Sequence, residues 1–289
     1  MSTAPAQSVP PGFASLALAR GVVGFYRLWH GTLGLRGAGR LINHLSPRLS
    51  GLQCYPLRLP NGHIAEVDFR ELSAFGWLNT MLGDDNQETP LIEAIAAHLS
   101  GDSVFWDIGA NAGILSAEIA RRTAIGEHHY FEPNPRIYPW AEAALSHLPQ
   151  ARGHPVAVSS SEGTATLFIP VNLSAFGSLE GNCRGEAIRV EVETVSGDLL
   201  VYERGLAPPS VIKIDTEGHE VEVMGGMRRL VAEYRPLVFF EHIELSDEQV
   251  RAMTPEGYRV GTLCDTTGAI LDRLDRSAGH NSALVPTER

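Results

Sequence analysis

Short apolar segments that close with an acidic residue recur along the last two thirds of the chain, and stretches of helical periodicity lie between them. The acids in question are Asp107, Glu132, Asp215 and Glu241. Apolar runs of about four to eight residues are typical of strands that are buried on both faces of a parallel sheet. The alternation of such strands with helices predicts an α/β fold with a doubly wound, mostly parallel sheet.

The predicted elements of this sheet are strands at 104–107, 128–131, 154–158, 211–215, 237–241, 258–264 and 283–286, and helices at 89–99, 114–122, 135–148, 219–234 and 247–253. Thr164–Val171 and Ala187–Val195 interrupt the order, because polar and apolar residues alternate within them. They predict an inserted antiparallel β pair. We expect the long loop that joins them to lie over the active site.

The first 50 residues have a different character. Residues 1–12 are rich in Pro, Ser and Ala and are predicted to be disordered, whereas residues 13–46 predict one or two helices. We therefore divide the chain into an N-terminal helical extension, residues 1–50, and a Rossmann-like domain, residues 51–289. Residues 13–29 predict an amphipathic helix that packs on the domain, with contact to a membrane surface as the alternative. Asn61-Gly62 between two short alternating runs predicts a hairpin.

The charge and the cysteines narrow the classes of function. The net charge is −11, from 23 basic and 34 acidic residues, which disfavours the phosphate backbone of a nucleic acid as a partner. Three widely spaced cysteines predict neither a zinc site nor a disulfide framework. The sequence shows no secretory signal and no stretch of the length and character of a membrane span. We expect a cytoplasmic protein.

The turn after the strand at 104–107 has the order Asp107-Ile-Gly-Ala-Asn-Ala-Gly and leads into a helix. It is similar to the glycine-rich turn of dinucleotide sites, but Asn111 replaces the middle glycine and the third glycine is missing. A cofactor without phosphates needs only the tight turns at Gly109 and Gly113, and S-adenosylmethionine is such a cofactor. Glu132 follows Asp107 by 25 residues, close to the spacing of an acid that binds a ribose diol.

The most informative later stretch is Val211-Ile-Lys-Ile-Asp-Thr-Glu-Gly-His-Glu220. Lys213 and Asp215 share one face of a strand, and a lysine in an apolar strand is costly to bury unless its charge is paired. Its predicted partners are Asp107, Asp215 and Glu241. Either this is a structural ion network, or Lys213 holds carboxylates that face the reacting groups.

These phrases, together with Phe131-Glu-Pro-Asn134, resemble the FkbM family of S-adenosylmethionine-dependent methyltransferases over about residues 85–289. The resemblance implies a Rossmann-like methyltransferase fold and methyl transfer, usually to an oxygen of a sugar, a natural product or another small hydroxylated molecule. It implies that Asp107, Gly109, Asn111 and Gly113 line the methionine and ribose end of the cofactor. Glu132 would hold the ribose hydroxyls, Ala157 would border the adenine, and Asp215 would face the reaction centre.

An alcohol acceptor must also lose a proton, so the site needs a base. The candidates are Asp215, Glu217, His219, Glu241 and His242. A divalent metal on Asp215, Glu217 and Glu241 is an alternative that we do not favour, because no tight metal-ligand spacing is present. Two other functions remain open at this point: a non-catalytic module that binds the cofactor or a partner, and a nucleotide-dependent oxidoreductase, which the missing glycines disfavour.

Overall fold

The computed structural model describes residues 13–26, 28, 44, 48–53, 55–58, 64–67, 69, 88–171, 177–181 and 186–287. The chain forms two compact units, Met1–Asn86 and Gln87–Arg289. The predicted disorder of residues 1–12 and much of the predicted helical segment 13–46 lie outside the described residues. The predicted domain boundary at residue 50 stays a prediction.

The first unit contains helices α1 (Phe13–Tyr26) and α2 (Ser50–Gln53) and strands β1 (Tyr55–Arg58) and β2 (Ile64–Val67). The two strands pair antiparallel, which confirms the predicted hairpin. The backbone N–H of Gly51 donates to Ser15 Oγ at 2.8 Å and ties α2 to α1. Membrane contact by residues 13–29 stays a prediction. In the ranges that the structure describes, no helix combines the length and apolar character needed to cross a membrane.

The second unit is built on a seven-stranded sheet of order β11-β12-β10-β9-β3-β4-β5. Its strands are β3 (Val104–Ile108), β4 (Glu127–Phe131), β5 (Ala151–His154), β9 (Val211–Ile214), β10 (Leu237–Glu241), β11 (Tyr258–Thr262) and β12 (Asn281–Pro286). The pairs within β10-β9-β3-β4-β5 are parallel, whereas β12 runs antiparallel to its neighbours β10 and β11. This arrangement confirms the predicted doubly wound, mostly parallel sheet.

The continuous apolar runs have a direct cause, because side chains of the central strands are buried on both faces of the sheet. On one face, Trp106 packs in a cluster with Ile212 and Phe240. On the other face, Phe105 packs in a second cluster with Phe239. Alternate residues of one strand point to opposite faces, so each strand contributes to both clusters.

The helices of this unit are α3 (Thr89–Ala97), α4 (Ile114–Arg122), α5 (Tyr138–Leu145), α6 (Gly197–Tyr202), α7 (Glu220–Gly225), α8 (Arg228–Tyr234) and α9 (Asp247–Met253). The single helix predicted at 219–234 was wrong, since the structure has α7 and α8 there. At the break, a Cβ on Gly226 would overlap the carbonyl oxygen of Ser159. Glycine at residue 226 permits this close approach of two backbones.

The predicted inserted pair is confirmed, and it belongs to a second sheet of order β6-β8-β7. Strands β7 (Gly163–Pro170) and β8 (Ala187–Val195) pair antiparallel, and β6 (Ala157–Val158) pairs parallel with β8. The single strand predicted at 154–158 was wrong. His154 ends β5 in the large sheet, and Pro155, which has no backbone N–H, separates it from β6 in the small sheet.

Candidate functional site

A cleft opens at the carboxyl ends of β3, β4 and β9, where the strand order of the large sheet reverses. From β3 the chain proceeds outward through β4 and β5, and β9 then returns to the opposite side of β3. Ligands of open α/β sheets bind at such a reversal. The empty space of the cleft, counted to the solvent at its mouth, is about 650 Å³.

The cleft brings together most of the residues that the sequence predicts for the site. Its lining includes Gly109, Asn111, Glu132, Ala157, Asp215, Glu217 and His219. Asp107, Gly113, Glu241 and His242 are not in that lining. The predicted site is therefore divided between residues that face the cleft and residues that lie behind or beside it.

The turn after β3 forms one wall through its backbone. Gly109 has φ +77°, and a Cβ there would overlap the carbonyl oxygen of Asp215, so the loops after β3 and β9 touch at this glycine. Asn111 is also left-handed, with φ +52°, and its Oδ1 accepts from the N–H of Ala112 at 2.8 Å. Gly113 has a different role, because it lies close to Ala141 of α5 and allows tight helix packing.

Glu132 is a buried carboxylate on the same wall. One of its oxygens accepts from the backbone N–H of Asn111 at 2.9 Å, and the other accepts from the N–H of Asn134 at 2.8 Å. Burial raises the pKa of Glu132 to about 7, although the two backbone donors act in the opposite direction. Each oxygen keeps a second lone pair, so the group can still accept two hydroxyl donors from a ligand.

Lys213 lies at the base of the cleft, and the predicted ion network is confirmed for two of its three partners. Asp107 and Lys213 are paired across β3 and β9, and Lys213 Nζ lies 3.3 Å from an oxygen of Asp107 and 3.3 Å from an oxygen of Asp215. It also donates to the carbonyl oxygen of Gly109 at 2.8 Å. Burial alone would lower the pKa of Lys213, but the two carboxylates outweigh it and raise the pKa.

Asp107 is fully buried and serves the interior of the sheet. Its second oxygen accepts from Ser116 Oγ at 2.6 Å, and this hydroxyl lies 2.9 Å from Nε2 of buried His128. Burial lowers the pKa of His128 to about 4, so this imidazole is neutral near pH 7. The structure therefore places Asp107 under the wall of the cleft, where it holds Lys213.

The loop after β9 forms the opposite wall and concentrates negative charge. Glu217 lines the cleft with a left-handed backbone, φ +54°, and burial beside Asp215 and Glu220 raises its pKa to about 8. Glu241 ends β10, which is in register with β9 so that Phe240 pairs with Ile214. Burial and the charges of Asp215 and Glu217 raise the pKa of Glu241 to about 8 as well.

The two candidate histidines have different surroundings. His219 lines the cleft, and its ring contacts Glu180 through Nδ1 at 2.6 Å and Ser159 through Nε2 at 2.9 Å. His242 is buried away from the lining and contacts Ser282 Oγ through Nδ1 at 2.9 Å. Burial and the nearby charge of Arg276 lower the pKa of His242. The structure does not bring His242 to the cleft.

Sequence reasoning missed the part of the wall that comes from the small sheet. Gly177 and Leu179, in the connection between β7 and β8, line the cleft, and Leu167 of β7 lies beside them. Two residues of this connection thus lie at the candidate cleft, and its predicted position over the active site stays a prediction. Glu180, which also belongs to this connection, is the polar partner of His219. Sequence reasoning missed it because it is 39 residues before His219 and no spacing rule connects the two.

A family model described as the methyltransferase FkbM domain matches residues 107–280, more than half of the chain. The chain belongs to the FkbM methyltransferase family. The match begins at Asp107 and includes both walls of the cleft.

Among individual proteins, this FkbM family member is 27% identical over 173 residues to the hexuronic acid methyltransferase AglP of Haloferax volcanii. The alignment covers 58% of this chain and 68% of the relative. The crystal structure of methyltransferase FkbM from Methylobacillus flagellatus KT has a TM-score of 0.44 at 15% identity, with 85% of this chain covered. This chain covers only 60% of that protein. Precorrin-6y C5,15-methyltransferase from Geobacter metallireducens GS-15 has a TM-score of 0.37 at 14% identity, with coverage of 69% and 87%.

Proposed function

We propose that this FkbM family member transfers a methyl group from S-adenosylmethionine to a hydroxyl of a sugar or another small hydroxylated molecule. The observation that carries the proposal is a single cleft at the reversal of strand order with unlike walls. One wall presents Glu132 held by backbone donors, and the other presents Asp215 and Glu217.

The residues of the first wall fit the cofactor. Glu132 lines the cleft and keeps lone pairs for both ribose hydroxyls, while Gly109 and Asn111 border the methionine end. Apolar residues near Ala157, among them Val158, offer a surface for the adenine ring. When bound, the cofactor supplies a methyl group already activated by a positively charged sulfur. The chain's own task is then to align the acceptor oxygen, which can contribute roughly 7–11 kcal/mol.

The second wall supplies the base, and we assign this role to Glu217. It lines the cleft, and its pKa of about 8 makes it a stronger base than an ordinary carboxylate. Asp215 also lines the cleft, but its charge is shared with Lys213 at 3.3 Å, which suits it to orient a hydroxyl.

The acceptor class rests on two supports. The relative from Haloferax volcanii is named for hexuronic acid, which makes a sugar the first class to test. A hydroxyl acceptor needs a base, and the second wall presents Glu217 with a raised pKa of about 8, so a sugar hydroxyl is the favoured methyl acceptor. Glycans and small natural products with equivalent hydroxyls belong to the same chemical class.

The deciding experiment incubates the purified protein with S-adenosylmethionine labelled in its methyl group and a panel of acceptors. The panel contains glucose, mannose, glucuronic acid and their methyl glycosides, with a cell extract as a further sample. Label on a neutral sugar hydroxyl supports the proposal. Cofactor binding without transfer to any sample indicates the non-catalytic alternative, and binding of a nicotinamide dinucleotide in place of S-adenosylmethionine indicates the oxidoreductase.

A further inference from the structure

The 177–181 segment has an alternating division of tasks. Gly177 and Leu179 line the cleft, whereas Ser178 and Glu180 form hydrogen bonds with the loop after β9. The segment therefore contributes Gly177 and Leu179 to the wall of the cleft, and Ser178 and Glu180 attach it to the loop after β9.

Ser178 is the first fastening point. It is buried, and its backbone exchanges hydrogen bonds with Phe168 of β7 at 2.9 and 3.0 Å. Its Oγ donates to the carbonyl oxygen of Glu217 at 3.0 Å. The carbonyl group and the side chain of Glu217 are both attached to its Cα, so a shift of this carbonyl group also shifts the side chain. Displacement of the segment therefore also displaces the proposed base.

Glu180 and His219 form the second fastening point, and the donors and acceptors determine the tautomer. An ionised carboxylate only accepts, so at 2.6 Å Nδ1 of His219 carries the hydrogen. Nε2 of the same ring lies 2.9 Å from Ser159 Oγ, within hydrogen-bond distance. Both ring nitrogens are engaged, and His219 is only 8% exposed. This imidazole has no free nitrogen to receive the proton of an acceptor.

We propose that Glu180 is a positioning residue. By holding His219 in its Nδ1–H tautomer, it fastens the 177–181 segment to the loop after β9 and keeps Glu217 and Leu179 in place in the lining of the cleft. The inference rests on the proposed function for its catalytic meaning, while the fastening itself is a property of the protein without substrate. A misplacement of about 1 Å at a reacting group is enough to cost on the order of 100-fold in rate.

The first test is the ¹⁵N spectrum of His219 in the full chain, with S-adenosylhomocysteine present. We expect the wild type to show the Nδ1–H tautomer and E180A to lose it. E180Q keeps an oxygen acceptor and should restore the wild-type pattern. E191A, which removes an exposed glutamate from β8, is the matched control and should leave the spectrum unchanged. An Nε2–H tautomer in the wild type overturns the proposal.

The same spectrum also tests a metal ion, since Glu222 lies 3.8 Å from Nδ1 and the ligand atoms of Glu180, His219 and Glu222 lie within 4.8 Å of one another. If EDTA shifts the resonances of His219 and Zn²⁺ restores them, the ring nitrogen binds metal and the tautomer argument fails. Unchanged resonances support the hydrogen-bonded arrangement.

The second test is hydrogen exchange of peptides that contain 177–181 and 215–219. We expect exchange about tenfold faster in E180A, with E180Q and E191A close to wild type. Equal exchange in E180A and wild type overturns the proposal. With a sugar acceptor that the wild type methylates, E180A should lower kcat about 10- to 100-fold while the affinity for S-adenosylhomocysteine is unchanged. A wild type without methyl transfer would contradict the proposed function instead, and the spectra and exchange would still decide the fastening.

Discussion

The two walls of the cleft satisfy their carboxylates in different ways. On the β4 wall, each oxygen of Glu132 accepts a backbone N–H, from Asn111 and from Asn134. On the β9 side, Glu217 in the cleft lining and Glu241 outside it are half-buried, and this burial together with neighbouring carboxylates raises the pKa of each to about 8. The first wall is prepared for binding by fixed donors. The second holds carboxyl groups that keep their protons until about pH 8 and act as bases once they lose them.

This difference indicates how the chain separates affinity from chemistry. Backbone donors hold the Glu132 carboxylate in place for a ligand, and hydrogen bonds to a charged group contribute about 1.5–3 kcal/mol. Crowded carboxylates destabilise the folded protein but produce a base suited to a slightly alkaline pH. Substitutions on one wall should therefore change binding, and those on the other should change rate and stability.

The largest expected effect is on the proposed base. E217Q retains the shape of the side chain and removes the base, so we expect kcat to fall by about 10²- to 10⁴-fold with little change in cofactor affinity. The base acts when deprotonated, so the wild-type rate should rise with pH through about pH 8, and this rise should be absent in E217Q. E248Q, at an exposed position of α9, is the control. If E217Q turned over at nearly the wild-type rate, Glu217 would not be the base, and Asp215 or Glu241 would be the next candidate.

The second effect concerns the lysine between the walls. K213M leaves Asp107 buried without its cation, and we expect a loss of about 3–5 kcal/mol in the free energy of unfolding. In denaturant melts, K213M combined with D107N should cost about 0.5–3 kcal/mol less than the sum of the single changes. The coupling with D215N should be smaller, because the Asp215 side chain is 39% exposed. If the losses in the free energy of unfolding were additive for both pairs, Lys213 would not interact with either Asp107 or Asp215.

The third effect is confined to the binding wall. E132A should weaken S-adenosylmethionine binding by about 10- to 100-fold, the equivalent of roughly 1.5–3 kcal/mol, since it removes the acceptor for the ribose hydroxyls. Calorimetry with the cofactor measures this directly, and circular dichroism verifies the fold. E217Q serves as the reciprocal control and should bind the cofactor normally. Unchanged affinity in folded E132A would remove Glu132 from the cofactor site.

The smallest effect is on stability as a function of pH. Glu132, Glu217 and Glu241 have raised pKa values, so the folded protein retains protons that the unfolded chain has lost. Their contribution to stability is complete below about pH 4.5 and is lost as pH rises through about 7 to 8. We therefore compare the free energy of unfolding of the double variant E217Q/E241Q with that of the wild type at two pH values. The difference in favour of the variant should be about 1–2 kcal/mol larger at pH 8.5 than at pH 5. An equal difference at both pH values would contradict the raised pKa values.

Much of the fold follows from the sequence because the central strands are buried on both faces. The apolar runs around Trp106 and Ile212 have no other stable environment, and both strands lie where they were predicted. Errors arose where a backbone contact from a distant segment decided the outcome. The backbone of Ser159 approaches Gly226 at a point where periodicity alone predicts a continuous helix, and the structure has two helices there. Pro155 interrupts the predicted strand 154–158, whose two parts belong to different sheets.

The candidate site shows the same limit. Strand ends locate Glu132 and Asp215 from sequence alone, because carboxyl ends of neighbouring parallel strands converge. Their order along the chain does not distinguish Asp107, which faces the interior, from Asp215, which lines the cleft. Glu180 reaches His219 only through the fold of the small sheet. The directions of these side chains and the long-range pairing of Glu180 with His219 therefore could not be predicted from the sequence.

The left-handed backbone of Glu217 has a practical consequence. A residue with a Cβ costs roughly 1–2 kcal/mol in that conformation, and glycine would remove the cost together with the carboxylate. We thus expect E217G to be folded at least as stably as the wild type and inactive, with the cofactor wall of the cleft unchanged. Immobilised on a column with S-adenosylhomocysteine, it would retain an acceptor without converting it. Eluates from cell extracts would then yield the natural acceptor directly, by mass spectrometry.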